Sequence, residues 1–161
     1  MAPTPRLHHV GVSAGAARLS VGRAHPKDLP ALQELLSLCG LPSDGVTDCL
    51  NGFLVARDGD RLAGSIGVER YGACGLLRSL AVQPDYRHGG LGAKLTRHAL
   101  REARRLGLRR LFLLTETASD YFPRFGFRPV PRQQAPPALR SSVEFASACP
   151  EAAICMERRL A

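Results

Sequence analysis

The sequence predicts a three-layer α+β domain: a mixed, mostly antiparallel central sheet of about six or seven strands, with about four helices on its faces. Three observations predict it. Strand-like runs at 53–58, 61–72 and 75–82 follow one another through short links, the pattern of an antiparallel meander. An amphipathic stretch at about 92–106 leads into RRLFLLTE (109–116), the most apolar strand-like run, so a helix lies against the sheet there. The length, 161 residues with 45% hydrophobic, is that of one domain with its own core.

In chain order, residues 1–17 are rich in Ala, Gly and Pro without a period and read as a flexible leader; 18–161 form the single domain. RLSVGRA (18–24) reads as a strand. A helix starts within Lys27–Pro30, with Asp28 as N-cap and Pro30 in the first turn, where a missing N–H costs nothing. Leu32, Leu35 and Leu36 give it an apolar face and Gly40 ends it; a short helix follows over 43–50. Asp58-Gly59-Asp60 links the first two meander strands, because Asp-Gly supplies positive φ cheaply, and 72–75 links the next two. In the 92–106 helix, Leu95, Ala99, Leu100, Ala103 and Leu106 face inward, Arg97, Arg101, Arg104 and Arg105 face outward, and Gly107 is the stop. A short helix at about 119–125, a strand at 127–130, a loop-like stretch at 131–151 and a last strand at 152–160 complete the order.

The formal net charge is +8, and residues 87–132 hold the whole excess with 11 basic and 3 acidic side chains. A helix face studded with arginine and a site for an anionic ligand both account for such a block. Nucleic acid is not an expected partner, since aromatic interleaving and helix-turn-helix spacing are both missing. Nor is a membrane, because no run of about 18 apolar residues occurs. Cys39, Cys49, Cys74, Cys149 and Cys155 form no CxxC pair, and His8, His9, His25, His88 and His98 show no ligand spacing, so no metal is expected. The first residues lack the apolar segment of a signal peptide, which makes a cytoplasmic setting with free thiols the expectation; whether the thiols bind a metalloid stays open.

The segment from Val82 to Ala93 carries the chemistry. An apolar strand ends, a glycine-rich loop follows, and the amphipathic helix begins. Gly89, Gly90 and Gly92 let the backbone approach a ligand, and the first N–H groups of a helix point outward at the positive end of its dipole. That arrangement suits a phosphate or pyrophosphate, with Arg87 and Lys94 flanking it. It is not a Walker loop, because no Gly-Lys-Ser/Thr follows, and it is not GxGxxG.

Arg87-x-x-Gly90-x-Gly92 after LAVQPDY resembles the acetyl-CoA signature of the GNAT N-acetyltransferases. Ala118-x-x-x-Phe122-x-x-x-Gly126-Phe127 resembles their second signature, and the likeness runs from about Arg18 to Leu160. More narrowly, GLLRSLAV, LLTETASDYF and CPEAAICM look like the small acetyltransferases encoded beside arsenic-resistance genes. The resemblance implies the GNAT fold, with acetyl-CoA as co-substrate and a small amine as acceptor, either amino-acid-like or an arsenic- or phosphinate-containing compound. A non-catalytic acyl-CoA-binding module and a protein N-acetyltransferase are the alternatives. Dimers are common in that superfamily, so a homodimer is the prior for oligomeric state.

By the same resemblance, the strand before the loop splays from its neighbour, and the backbone of Leu80, Ala81 and Val82 receives the pantetheine arm. Backbone N–H groups of His88, Gly89, Gly90, Leu91, Gly92 and Ala93 would hold the pyrophosphate, with Arg87 beside them. Thr115 stands where the family has asparagine, and Phe122 where it has a tyrosine that returns a proton to the thiolate; Tyr121, one residue earlier, is the candidate acid. Leu76 stands where many relatives have a glutamate base. Glu69 is then the first candidate base, on the face of Ser65 and Gly67 by period-2 counting, and Glu116 the second. Arg78 either faces solvent or, with Ser79 and Glu116, binds the acceptor, its guanidinium taking a carboxylate or phosphinate.

Overall fold

Seven strands form one sheet in the computed structural model, which describes residues 19–160. The residues read as a leader lie outside that range. The strands are β1 (Leu19–Arg23), β2 (Phe53–Asp58), β3 (Arg61–Tyr71), β4 (Cys74–Val82), β5 (Arg110–Thr115), β6 (Arg128–Pro129) and β7 (Ile154–Arg159). Their order is β1-β2-β3-β4-β5-β7-β6, so the last strand inserts beside β5 and leaves two-residue β6 at the edge. Every neighbouring pair is antiparallel except β4–β5. A parallel pair needs a crossover, and the helix between these two strands supplies it.

The helices are α1 (Leu29–Leu38), α2 (Val46–Cys49), α3 (Leu91–Arg105) and α4 (Pro137–Arg140), with a π-helical turn at Glu144–Ala148. Strand alternation sorts the core into two faces. Leu95, Ala99, Leu100 and Ala103 of α3 pack on Ala56, Ile66, Val68 and Leu77. On the opposite face Leu32, Leu35 and Leu36 of α1 cover Phe53, Val55 and Leu62, while Leu139 and Phe145 cover Leu76, Phe112 and Cys155. The three expected layers are therefore present. Arg97, Arg101, Arg104 and Arg105 stand on the exposed side of α3, and Leu106 is only half-buried. Among the described residues no helix is long and apolar enough to cross a membrane.

Three local expectations are corrected. The helix read over 119–125 is only a 3-10 turn at Phe122–Phe125, because Pro123 removes an N–H that a longer helix would need. The stretch 131–151 is not a plain loop: the Pro136-Pro137 pair starts α4 rather than breaking it, and Leu139, Ser142, Glu144 and Phe145 are buried. Asp28 does stand at the N-cap position of α1, yet its carboxylate makes no cap hydrogen bond. It accepts the His25 N–H at 2.6 Å and both terminal nitrogens of Arg57, at 2.6 and 2.5 Å.

This buried pair ties the start of α1 to β2. The hydrogen bonds from Arg57, helped by the His25 N–H, outweigh burial and pull the Asp28 pKa down to about 2. A depressed carboxyl pKa stabilises the fold above its unfolded value, and that contribution disappears as pH falls through about 2. Asp28→Asn should therefore cost about 2 kcal/mol at pH 7, at roughly 1.4 kcal/mol per pKa unit. Urea denaturation at pH 7 and near pH 2 checks this: the gap between variant and wild type should close at the lower pH.

Candidate active site

β4 and β5 pair only at Cys74–Arg110, Gly75–Leu111 and Leu76–Phe112. Beyond those pairs the strands part. A β-bulge contributes to the bend: Ser65 and Gly67 of β3 stand opposite Ala81 and Arg78, so three steps along β4 match two along β3. Ser79 lies inside the bulge at φ +59°, and its carbonyl oxygen accepts the buried Ser65 hydroxyl at 2.9 Å. The gap forms a cleft of about 380 Å³, lined from β4 by Arg78 to Val82, from the end of β5 by Thr115 and from beyond it by Glu116 and Phe122. The splay expected before the loop is present.

β4 leads through a 3-10 turn at Pro84–Tyr86 into the glycine-rich loop. Tyr86 anchors that turn, its hydroxyl donating to the Asp58 carboxylate and its ring lying 5.3 Å from the Arg61 guanidinium. His88 at φ +67° and Gly90 at φ +81° bend the chain so that Gly90 starts α3. The first intrahelical bond runs from Lys94 N–H to Gly90 O at 3.0 Å, which leaves the N–H groups of Leu91, Gly92 and Ala93 ahead of it. His88, Gly89 and Gly90 are exposed, Gly92 and Ala93 half-exposed, and the Leu91 side chain is buried beneath them. Arg87 folds back, donating from Nε to Val82 O at 3.1 Å, and its Nη2 lies 3.6 Å from Cys39 Sγ at the end of α1.

Arg78 does not face solvent. It is 3% exposed, on the same face of β4 as Leu76 and beneath the segment that carries Glu144. Its Nη1 donates to Glu69 Oε1 at 3.0 Å, its Nη2 to Pro42 O at 3.4 Å and its Nε to Ser79 Oγ at 3.0 Å. Glu144 Oε1 lies 3.3 Å from the same Nε. Nε, Nη1 and Nη2 each give a hydrogen bond inside the protein, and Arg78 also lines the cleft.

The structure separates the candidate acid–base residues. Glu69 accepts from Arg78 and from the Tyr71 hydroxyl at 2.8 Å, and it lines a second cavity of about 580 Å³ beside α2 rather than the cleft. Glu116 lines the cleft from an exposed bend. Thr115 uses its hydroxyl to accept the Ala118 N–H at 2.9 Å, which shapes the turn after β5. Phe122 reaches the cleft, whereas Tyr121 packs against Phe125 and places its hydroxyl 3.2 Å from where a Cβ on Gly92 would stand. Cys149 also lines the cleft; burial raises its pKa to about 11, so its thiol stays protonated near neutral pH.

One cleft residue was absent from the candidate acid–base set. Glu144 sits in the π-helical turn, 4% exposed, against Arg78. Burial pushes its pKa up to about 7; the neighbouring Glu69 charge adds to that rise and Arg78 opposes it. The only sequence signal was its acidity within a stretch that otherwise reads as loop.

Residues 8–127 match the family model for the acetyltransferase (GNAT) family. The chain belongs to that family. An amino-acid acetyltransferase of Azotobacter vinelandii is 40% identical over 56% of this chain and 25% of its own length. One from Neisseria meningitidis is 26% identical over 81% of this chain and 32% of its own. The GNAT chain described here thus spans a third or less of these curated relatives. Among solved structures, N-acetylglutamate synthase from Neisseria gonorrhoeae, complexed with coenzyme A and N-acetyl-glutamate, superposes with TM-score 0.76 at 24% identity over 89% of this chain and 35% of that one. Rv2747 from Mycobacterium tuberculosis, in complex with CoA and NLQ, gives 0.76 at 23% identity over 88% and 99%. Amino-acid acetyltransferases therefore replace the arsenic-associated enzymes as the narrower likeness.

The buried charges at this GNAT cleft make a direct forecast. Removing one partner of a buried ion pair leaves uncompensated charge and costs about 3–5 kcal/mol. Arg78→Ala should lose stability on that scale, and Arg78→Lys should recover only part of it, since an ammonium cannot reproduce the planar fork. Chemical denaturation of both variants at pH 7.5 checks it.

Proposed function

We propose that this chain is an acetyl-CoA-dependent N-acetyltransferase acting on the amine of an amino acid or an amino-acid-like small molecule. The observation that carries this reading is the parting of β4 and β5 after Leu76 and Phe112, with the open edge of β4 leading to the glycine-rich start of α3. Acetyl-CoA would supply an activated acetyl thioester. The residues present fit it: an extended arm suits the unpaired edge at Leu80, Ala81 and Val82, and a pyrophosphate suits the N–H groups from His88 to Ala93. Gly90 has open space above its α-carbon and a Cβ on Gly89 would meet only the Tyr86 carbonyl oxygen, at 3.8 Å, which leaves the room a close-lying phosphate would need. A backbone N–H from Val82 aimed at the developing oxyanion would stabilise the transition state by about 3 kcal/mol.

The amine nitrogen attacks the thioester carbonyl directly, the new C–N bond replaces the C–S bond, and the sulfur leaves with its electron pair. A thiol with a pKa near 8.5 can leave as thiolate, so transfer does not require the Tyr121 hydroxyl, which lies beside Gly92 of the anion loop. A cleft of about 380 Å³ suits a small acceptor. The amino-acid acetyltransferases among its relatives favour an amino-acid frame, with Ser79 and Glu116 on the cleft wall to meet it.

Release of free thiol from acetyl-CoA, followed across amino acids, a phosphinate amino acid, a polyamine and a peptide N-terminus, tests the reading. Turnover with an amino-acid acceptor is expected. Coenzyme A binding without turnover on any amine would favour a non-catalytic acyl-CoA module instead. Gly89 is exposed and its φ is ordinary, so Gly89→Glu should leave folding intact. It should weaken coenzyme A binding more than about tenfold by setting a carboxylate at the anion loop. Titration calorimetry reads that change.

A further inference from the structure

Acetyl transfer needs a neutral amine, and an amino acid arrives near neutral pH as its ammonium form. Three carboxylates stand near the reacting region. Glu116 stands at an exposed bend, where water competes for its carboxylate. Glu69 is separated from the cleft by Arg78 and already accepts hydrogen bonds from Arg78 and Tyr71. Glu144 lines the cleft itself and is buried there.

The geometry around Arg78 distinguishes the two buried glutamates. Arg78 gives its N–H groups to Glu69, Ser79 and Pro42, and meets Glu144 only as a charge at 3.3 Å. One guanidinium thus faces two carboxylates. Two acids and one base in a water-poor cluster leave room for one exchangeable proton, held by the carboxylate with the weaker hydrogen bonding.

We propose that Glu144 is the catalytic base of this cleft, taking the proton that the acceptor ammonium must lose before its nitrogen attacks. The inference rests on the acetyltransferase reading above. The N–H bond breaks toward a Glu144 carboxylate oxygen, the freed lone pair forms the C–N bond, and the proton later passes from Glu144 to solvent or to the departing thiolate. Glu69 and Arg78 act as positioning residues, because they hold Glu144 at the wall and set its charge environment. The groups facing Glu144 are Arg78 from β4, Glu69 from β3, Cys49 from α2 and Cys149 from its own segment. Burial raises the thiols of Cys49 and Cys149 to about 12 and about 11, so neither titrates in the same range as Glu144 at about 7. A base must be deprotonated to work, so activity rises with pH through that value.

The experiment compares wild type, Glu144→Gln and Glu144→Asp with an amino-acid acceptor that the wild type turns over, measuring kcat and both KM values from pH 5.5 to 10. The expected result for Glu144→Gln is a roughly 10²–10³-fold loss of kcat at pH 7, with the KM for acetyl-CoA unchanged. The acid limb near pH 7 should vanish, and the deficit should narrow toward pH 10 as the acceptor loses its proton unaided. Glu144→Asp should keep an acid limb at reduced kcat, and it decides the matter if Glu144→Gln does not fold. A wild-type profile in either variant would overturn the proposal, as would a pH-independent loss with a raised acetyl-CoA KM. No transfer by the wild type with any amine would instead overturn the acetyltransferase reading, and the role of Glu144 with it.

Discussion

Two strands that begin together and do not stay together set every feature of the cleft. β4 and β5 are the only parallel neighbours in the described sheet, and their ladder stops at Leu76 and Phe112. Backbone groups beyond that point can be left without a strand partner only where water or a ligand satisfies them. Each face of the parting is held by different contacts. On one side α3 covers Leu77 and Leu113; on the other, Phe145 and Leu139 cover Leu76 and Phe112. The crossover that makes β4 and β5 parallel also sets the N-terminus of α3 just after β4, so the opening and the anion loop share one topological cause.

Just before the bulge at Ser79, Arg78 keeps the register and the face of Leu76 and is buried, where a lone guanidinium would be prohibitively unfavourable. Glu69 and Glu144 offset its charge from β3 and from the segment after α4. The segment that closes the cleft is therefore fastened to the sheet by the same arginine that lines it. The wall of the cleft and the stability of the fold meet at one side chain.

Much of this architecture is legible in the sequence. The meander, the amphipathic helix and the glycine loop follow from periodicity and from turn residues such as Asp58-Gly59 and Gly107, both local signals. Local patterning could not reveal which strand inserts beside β5, because the pairs of β7 with β5 lie 39 to 49 residues apart in the chain. It could not reveal the burial of Arg78 either: alternation puts Arg78 on the face of Leu76, but the Glu144 and Phe145 that cover that face come from a distant segment of chain. The 131–151 stretch misleads because its prolines resemble loop punctuation, yet Pro137 opens α4 and buries Leu139, Phe145 and Glu144 behind it. Asp28 has the right residue type for a cap and the wrong neighbour, since Arg57 from β2 outbids the helix N–H groups for its carboxylate. At the site, the glycine-rich loop was readable because it is contiguous; the contact of Glu144 with Arg78 and Glu69 was not, because the three come from separate segments of chain.

Residue-resolved amide hydrogen exchange, with and without acetyl-CoA, tests the parting of β4 and β5 most directly. Amides of the paired stretches, 74–76 and 110–112, should be protected in both states. Amides on the open side of 77–82, together with those of 88–93, should exchange quickly in the free protein and become protected when acetyl-CoA is added. Protection of 77–82 that is already complete without acetyl-CoA, or that acetyl-CoA leaves unchanged at saturating concentration, would contradict the account.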